Sequence, residues 1–215
     1  LKYANIRRGF MKMQLSAHYG KPLPQGTSIL SNGINFSVFS RNATDITLDI
    51  FEKETDSTPY FSYKFDKTYN RTGDIWHVFI EGLKPGALYL YRVDGPFDPE
   101  RGHRFNKNCY LIDPYAKALT NKSIFKNLPE NYVPAKDKMD IELGTLMDAA
   151  NFPKCVVIDD DAFDWEGDKP LNFPLRKSVL YETHVKGFTA SSTSEVSKPG
   201  TYAGLIEKIP YLKEL

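Results

Sequence analysis

The sequence predicts a mainly β chain whose leading part is an immunoglobulin-like antiparallel sandwich. Two observations carry this reading. Between about residues 20 and 93, short apolar runs recur with period two and are separated by Gly, Pro, Asn and Asp, which is the spacing of a sandwich rather than of helices. Aromatic side chains are abundant, with 13 Tyr, 14 Phe and 2 Trp, a supply that suits a β-rich core and equally suits stacking on sugar rings.

In chain order, residues 1–19 read as an N-terminal extension. The chain opens on Leu1, and Met11 or Met13 is a candidate natural start. The sandwich is assigned to residues 20–95. Ile34, Phe36 and Val38 alternate with Asn35 and Ser37; Ile46, Leu48 and Ile50 alternate with Thr47 and Asp49; Phe61, Tyr63 and Phe65 alternate with Ser62 and Lys64. Each strand is expected to have one buried and one wet face. Trp76, Val78 and Ile80 repeat the pattern, the Gly82-Leu83-Lys84-Pro85-Gly86 stretch is a turn, and 88–93 returns as a tyrosine-rich strand. Trp76 is a candidate sugar-stacking residue. Its place beside Val78 and Ile80 favours a ring packed between sheets instead.

From 94 to 117 the composition changes to D-G-P-F-D-P-E-R-G-H-R-F-N-K-N-C-Y-L-I-D-P-Y-A-K. Proline and aromatic anchors make this an ordered loop. Its alternating acids and arginines could clasp sugar hydroxyls; a structural clasp between domains is the favoured reading. Residues 122–174 say least, apart from a short helical turn expected near 143–150 and an apolar strand from Cys155 to Ile158. Asp159, Asp160 and Asp161 invite a metal reading, but no glycine-centred calcium-loop pattern follows, so no metal is assigned. Trp165 is the second candidate sugar-stacking residue, weighed against a role in pinning the chain onto whatever follows.

The run V-L-Y-E-T-H-V-K-G-F-T at 179–189 reads as a short buried strand that Gly187 ends. It carries Glu182, His184 and Lys186, and buried ionisable groups need partners. Beyond it, Leu205, Ile209, Leu212 and Leu215 recur at helical spacing, with Pro210 expected to kink the helix or start a second segment.

Charge and cysteine content narrow the function. Lys and Arg total 28 against 27 Asp and Glu, and a net charge of +1 supplies no field to draw in nucleic acid or an acidic membrane. Cys109 and Cys155 have no CxxC spacing, so free buried thiols in a reducing compartment are expected. With no long apolar run and no signal-peptide layout, the chain reads as cytoplasmic.

These segments also resemble a known family. G-I-N-F-S-V-F-S at 33–40, G-D-I-W-H-V-F-I at 73–80 and L-K-P-G-A-L-Y-L-Y-R-V-D-G at 83–95 are similar to the family 48 carbohydrate-binding module. The 94–117 loop resembles the segment after the sandwich in glycogen debranching enzymes. The 179–189 run and G-T-Y-A-G-L-I-E-K-I-P-Y-L-K-E-L at 200–215 resemble the first barrel strand and helix of isoamylase-type members of the α-amylase family. The resemblance implies a sandwich followed by the first strand and helix of a β/α barrel, with 96–178 connecting them and 179–215 as the barrel unit. It implies hydrolysis of α-1,6 branch linkages in glycogen or limit dextrin by the parent protein, without a cofactor.

A retaining glycosidase needs two carboxyl groups flanking the scissile bond, and a β/α barrel takes about 250 residues. In the resembled family the reacting acids lie on later strands. No segment here matches those motifs, so no residue is assigned a catalytic role and this polypeptide is expected to be inactive. Glu182 and His184 are read as supports for groups on other strands. Two alternatives stand beside this reading: a non-catalytic glucan-binding or regulatory module, and a branching or trehalose-releasing relative. Gly187-Phe188-Thr189 resembles debranching enzymes more closely, while Lys186 stands where they usually carry Arg.

Overall fold

The computed structural model describes residues 15–120 and 148–215. The helical turn expected near 143–150 lies largely outside them. Where it enters, residues Ala149–Asn151 form one 3₁₀ turn, capped by the Asp148 side chain, which accepts from Ala150 N.

The strands in chain order are β1 (Ser16–Tyr19), β2 (Gly26–Leu30), β3 (Gly33–Phe39), β4 (Asp45–Phe51), β5 (Phe61–Lys64), β6 (Arg71–Thr72), β7 (Ile75–Glu81), β8 (Leu88–Asp94), β9 (Phe97–Asp98), β10 (His103–Arg104), β11 (Ala118–Leu119) and β12 (Cys155–Val156). All pairings are antiparallel. One sheet runs β1-β7-β3-β2 with β6 on β7; the other runs β11-β12-β8-β4-β5; β9 and β10 form a separate hairpin.

The period-two pattern fills the space between the sheets. Ile34 and Phe36 of β3, Ile46, Leu48 and Ile50 of β4, and Trp76, Val78 and Ile80 of β7 are all fully buried. Phe36 meets Tyr89 of the opposite sheet edge-to-face at 5.1 Å. The two sheets therefore share one aromatic and aliphatic core. Gly33 is required by close packing, since a Cβ there would lie 2.3 Å from Ile80 O.

Three expectations about the sandwich are corrected. The extension assigned to 1–19 is too long, because β1 pairs with β7 from Ser16↔Glu81 to Tyr19↔Val78. The supposed wet faces are partly covered: Asn35 and Ser37 are buried under the 20–25 crossing, where Asn35 exchanges hydrogen bonds with Lys21 N and O and Ser37 donates to Pro22 O. On the other sheet Asp49 is buried too, receiving Arg92 and the Ser62 hydroxyl. The connecting segment assigned to 96–178 also supplies β11 and β12 to the second sheet, so the sandwich extends well past residue 95.

The chain divides into two compact units, Leu1–Asp164 and Trp165–Leu215. In the second unit, the strand expected at 179–189 does not form. Residues 179–184 belong to no ladder among the described residues, with Val179 95% and Leu180 83% exposed, and residues 185–189 are helical instead. A strand is held by backbone bonds to a neighbour. Without one, the apolar run joins no ladder, while Gly187 N donates back to the His184 ring. The helices of this unit are α1 (Val185–Thr189), α2 (Tyr202–Glu207) and α3 (Ile209–Glu214). Pro210 does start a second helical segment, since α2 ends at Lys208 and α3 has proline in its first turn. Leu205 and Leu212 are half-buried, whereas Ile209 and Leu215 on the same predicted face are exposed.

Candidate functional site

Trp76 is removed from the surface by the strand that carries it. Its ring has no exposed area, its indole N–H donates to Ser40 O at 2.9 Å, and the Arg71 guanidinium sits 4.9 Å from the ring centroid. A sugar cannot stack there in this fold. The aromatic residues that do face solvent lie elsewhere.

The most organised of these is a pair, Tyr19 and Tyr69. They are 55% and 52% exposed, and their rings meet edge-to-face with centroids 5.2 Å apart and an interplanar angle of 74°. Tyr19 leaves the end of β1, where the ladder to β7 fixes its backbone. Tyr69 sits in a turn in which the Asp66 carboxylate accepts from Thr68 N and Tyr69 N, both at 2.8 Å. Buried Asn70 secures that turn, its amide oxygen accepting from the Tyr63 hydroxyl at 2.9 Å and from Asp66 N at 3.0 Å. Against Tyr19 lies His77, fully buried, its ring 5.1 Å from that of Tyr19 and its Nε2 2.8 Å from the Thr72 hydroxyl. Burial lowers the His77 pKa, so the support is a neutral imidazole.

Sequence reasoning missed this pair because Tyr19 falls in the stretch assigned to the extension and Tyr69 in none of the alternating runs. One signal was present. Leu15, Ala17 and Tyr19 alternate with Ser16 and His18, a short period-two run that joins the sandwich pattern.

The 94–117 loop acts as a clasp inside the sandwich unit. Tyr91 exchanges backbone hydrogen bonds with Leu111, and Asp113 is buried with its carboxylate accepting from the Tyr89 hydroxyl at 2.8 Å and from Tyr115 N at 2.8 Å. Burial raises the Asp113 pKa. Cys155 Sγ accepts from Asp113 N at 3.3 Å, and burial pushes its thiol up to about 12, so it is an inert packing group. Cys109 and Cys155 are both free and buried. Of the arginines, Arg101 pairs with Asp98 at 3.6 Å on the surface. This network ties the loop to the second sheet.

The aspartate triplet is used locally. Asp159 accepts from Asp161 N at 3.1 Å and Asp160 pairs with Lys117. Among the described residues, no group of three or more His, Cys, Asp and Glu gathers to hold a metal ion. No described helix is long and apolar enough to cross a membrane.

In the second unit, Trp165 is 63% exposed and its carbonyl accepts from Asp168 N at 2.8 Å. Glu182 and His184 are exposed as well, and His184 serves as the N-cap of α1, its Nδ1 accepting from Gly187 N at 3.0 Å. Thr189 is the buried anchor, accepting from Gly200 N at 2.8 Å.

Residues 17–116 match the model described as "Carbohydrate-binding module 48 (Isoamylase N-terminal domain)". Over that span the sandwich is similar to the carbohydrate-binding module 48 family. Similarity continues beyond the module. The chain is 38% identical over 203 residues to "Isoamylase 1, chloroplastic" of Oryza sativa subsp. japonica, covering 91% of this chain and 23% of the relative. It is 40% identical over 200 residues to the "Glycogen debranching enzyme" of Yersinia pseudotuberculosis serotype IB (strain PB1/+), covering 92% of this chain and 28% of the relative. The chain thus spans about a quarter of the length of the curated relatives it matches. Among solved structures, the catalytic module of the multi-modular glycogen-degrading pneumococcal virulence factor SpuA aligns at a TM-score of 0.58 and 19% identity, over 91% of this chain and 26% of that one. That likeness speaks to the fold.

Proposed function

We propose that this chain is the sandwich-bearing N-terminal part of an isoamylase-type glycoside hydrolase that cleaves α-1,6 branch linkages in glycogen or limit dextrin. The observation that carries this is the reach of the similarity: relatives named isoamylase and glycogen debranching enzyme match more than nine-tenths of the chain, well beyond the module that ends at residue 116. The second unit supports the same reading. Val179, Leu180 and Tyr181 present apolar surface without a ladder neighbour among the described residues, which suits a strand completed by further barrel strands. A self-sufficient binding module would gain nothing from that surface.

On this reading Glu182, His184 and Trp165 border the barrel and carry no chemistry in the polypeptide by itself. Glu182 is not assigned as acid or nucleophile, since retention requires a second carboxyl group about 5 to 5.5 Å away. The two free, buried thiols suit a reducing compartment, in line with a cytoplasmic protein. The test is a reducing-end assay on branched limit dextrin, run with the 215-residue chain and with the longer product of the natural gene. The longer product should release reducing ends and the 215-residue chain should not. Turnover by the shorter chain would overturn its assignment as inactive, and silence from the longer one would end the hydrolase reading.

A further inference from the structure

We infer that Asn32 is a site of spontaneous deamidation, and that the carboxylate it leaves loosens the end of β1. Asn32-Gly33 is the one Asn-Gly step in the sequence; every other asparagine is followed by a larger residue. In this reaction the backbone nitrogen of the following residue attacks the asparagine Cγ, the Cγ–Nδ2 bond breaks, and the amide leaves as ammonia with the proton of the attacking N–H. The five-membered imide takes up one water and opens at either carbonyl. The products are aspartate in the normal linkage and an isoaspartyl linkage through the side chain, and no oxidant or cofactor is consumed. A following glycine presents no Cβ to block the approach.

The fold exposes this step and fixes the glycine that permits it. Asn32 is exposed in the two-residue turn between β2 and β3, and Gly33 pairs with Leu30 at the last rung of that ladder, where local opening costs least. Gly33 cannot be exchanged for a shielding residue, since a Cβ there would meet Ile80 O at 2.3 Å. The Asn32 amide meanwhile holds a corner of the sheet. Its Nδ2 donates to Glu81 Oε1 at 2.8 Å, while Glu81 Oε2 accepts from the Ser16 hydroxyl at 3.1 Å and lies 2.9 Å from His18 Nε2. Hydrogen bonds from His18, Ser16 and Asn32 keep the Glu81 carboxyl below its ordinary pKa, so it stands there as a carboxylate. One acid on β7 thus joins the hairpin tip to two side chains of β1. Deamidation replaces the donor with a second carboxylate facing the first, and the repulsion falls on the group that holds β1. An isoaspartyl linkage also adds a methylene to the main chain at the residue whose carbonyl accepts from Gly82 N at 2.8 Å, disturbing the same corner.

The test is incubation of the 215-residue chain in mildly alkaline buffer, followed by peptide mapping with mass spectrometry. The peptide containing Asn32 should gain the mass of an amide-to-acid exchange and divide into aspartyl and isoaspartyl forms, while peptides carrying the other asparagines keep their amides. In Asn32→Gln, whose longer side chain would have to close a larger ring, the same peptide should stay unmodified. Native-state hydrogen exchange reads the consequence. In Asn32→Asp the amides of residues 16–19 should exchange about two- to fivefold faster, the range of a lost surface charge contact, with those of β4 and β8 unchanged. An Asn32 peptide that keeps its amide in the folded chain overturns the site, and unchanged exchange at 16–19 in Asn32→Asp overturns its hold on β1. Either result leaves the hydrolase reading standing, since that is judged on the longer gene product.

Discussion

Asp49 shows at the scale of one residue why a strand pattern understates its chemistry. By alternation it belongs on the wet face of β4, yet it is fully buried, with Arg92 clamping both carboxylate oxygens and Ser62 donating at 2.5 Å. The spacing could place Asp49 on that face; it could not show that Arg92, 43 positions later, would cross from β8 to meet it. Arg92→Ala should leave a buried carboxylate without its cation and cost about 3 kcal/mol in urea unfolding. Trp76 is the converse case, a residue whose alternation gave its place correctly. Trp76→Ala should cost about 3–5 kcal/mol, and any loss of glucan binding should track unfolding. His77 gives a pH signature. Its folded pKa lies below the unfolded value of about 6.5, so the unfolded chain takes up a proton that the fold refuses. Stability should therefore be whole above about pH 7 and fall as the pH drops below about 6.5. His77→Gln should flatten that decline in denaturant titrations at successive pH values; an unchanged slope would assign the decline to other groups.

At the scale of the element, legibility followed burial on a single face. Strands β3, β4, β5, β7 and β8 were readable because each alternates over four or more residues against the shared core. The two-residue strands β11 and β12 are too short to show a period. Cys155 and Val156 were legible only as an apolar run, and their ladder to Leu88 and Tyr89 came from the fold. The run at 179–184 failed for the opposite reason. Its β-branched and aromatic residues favour a strand, but propensity does not supply the neighbour that a ladder needs. After it, α1 and α2 start on side-chain caps, and the break before α3 was legible because proline cannot continue a helix. Thr201 Oγ1 accepts from Gly204 N at 3.1 Å to start α2. Thr201→Ala should cost about 1 kcal/mol of that helix's stability, seen as faster amide exchange at 202–207 with the sandwich amides unaffected.

For the whole molecule, the sequence carried the family more fully than it carried the site. Motifs in β3, β7 and β8 that make the core also make the resemblance, because the same buried positions determine both. The exposed Tyr19 and Tyr69 stand outside those motifs, and only the folded arrangement brings residues 50 positions apart into one surface. The chain's two units also differ in self-sufficiency: the first closes around a continuous core, while the second leaves Leu171, Val179 and Leu180 between 83% and 95% exposed. On the proposed reading, that imbalance is what a stretch completed by further barrel strands would show. The proposed hydrolysis is tested most directly by proton NMR of branched limit dextrin incubated with the longer natural gene product. The α-1,6 anomeric signal should be lost, with the α-anomer of the released chain appearing first. An unchanged α-1,6 signal, or a β-anomer appearing first, would contradict it.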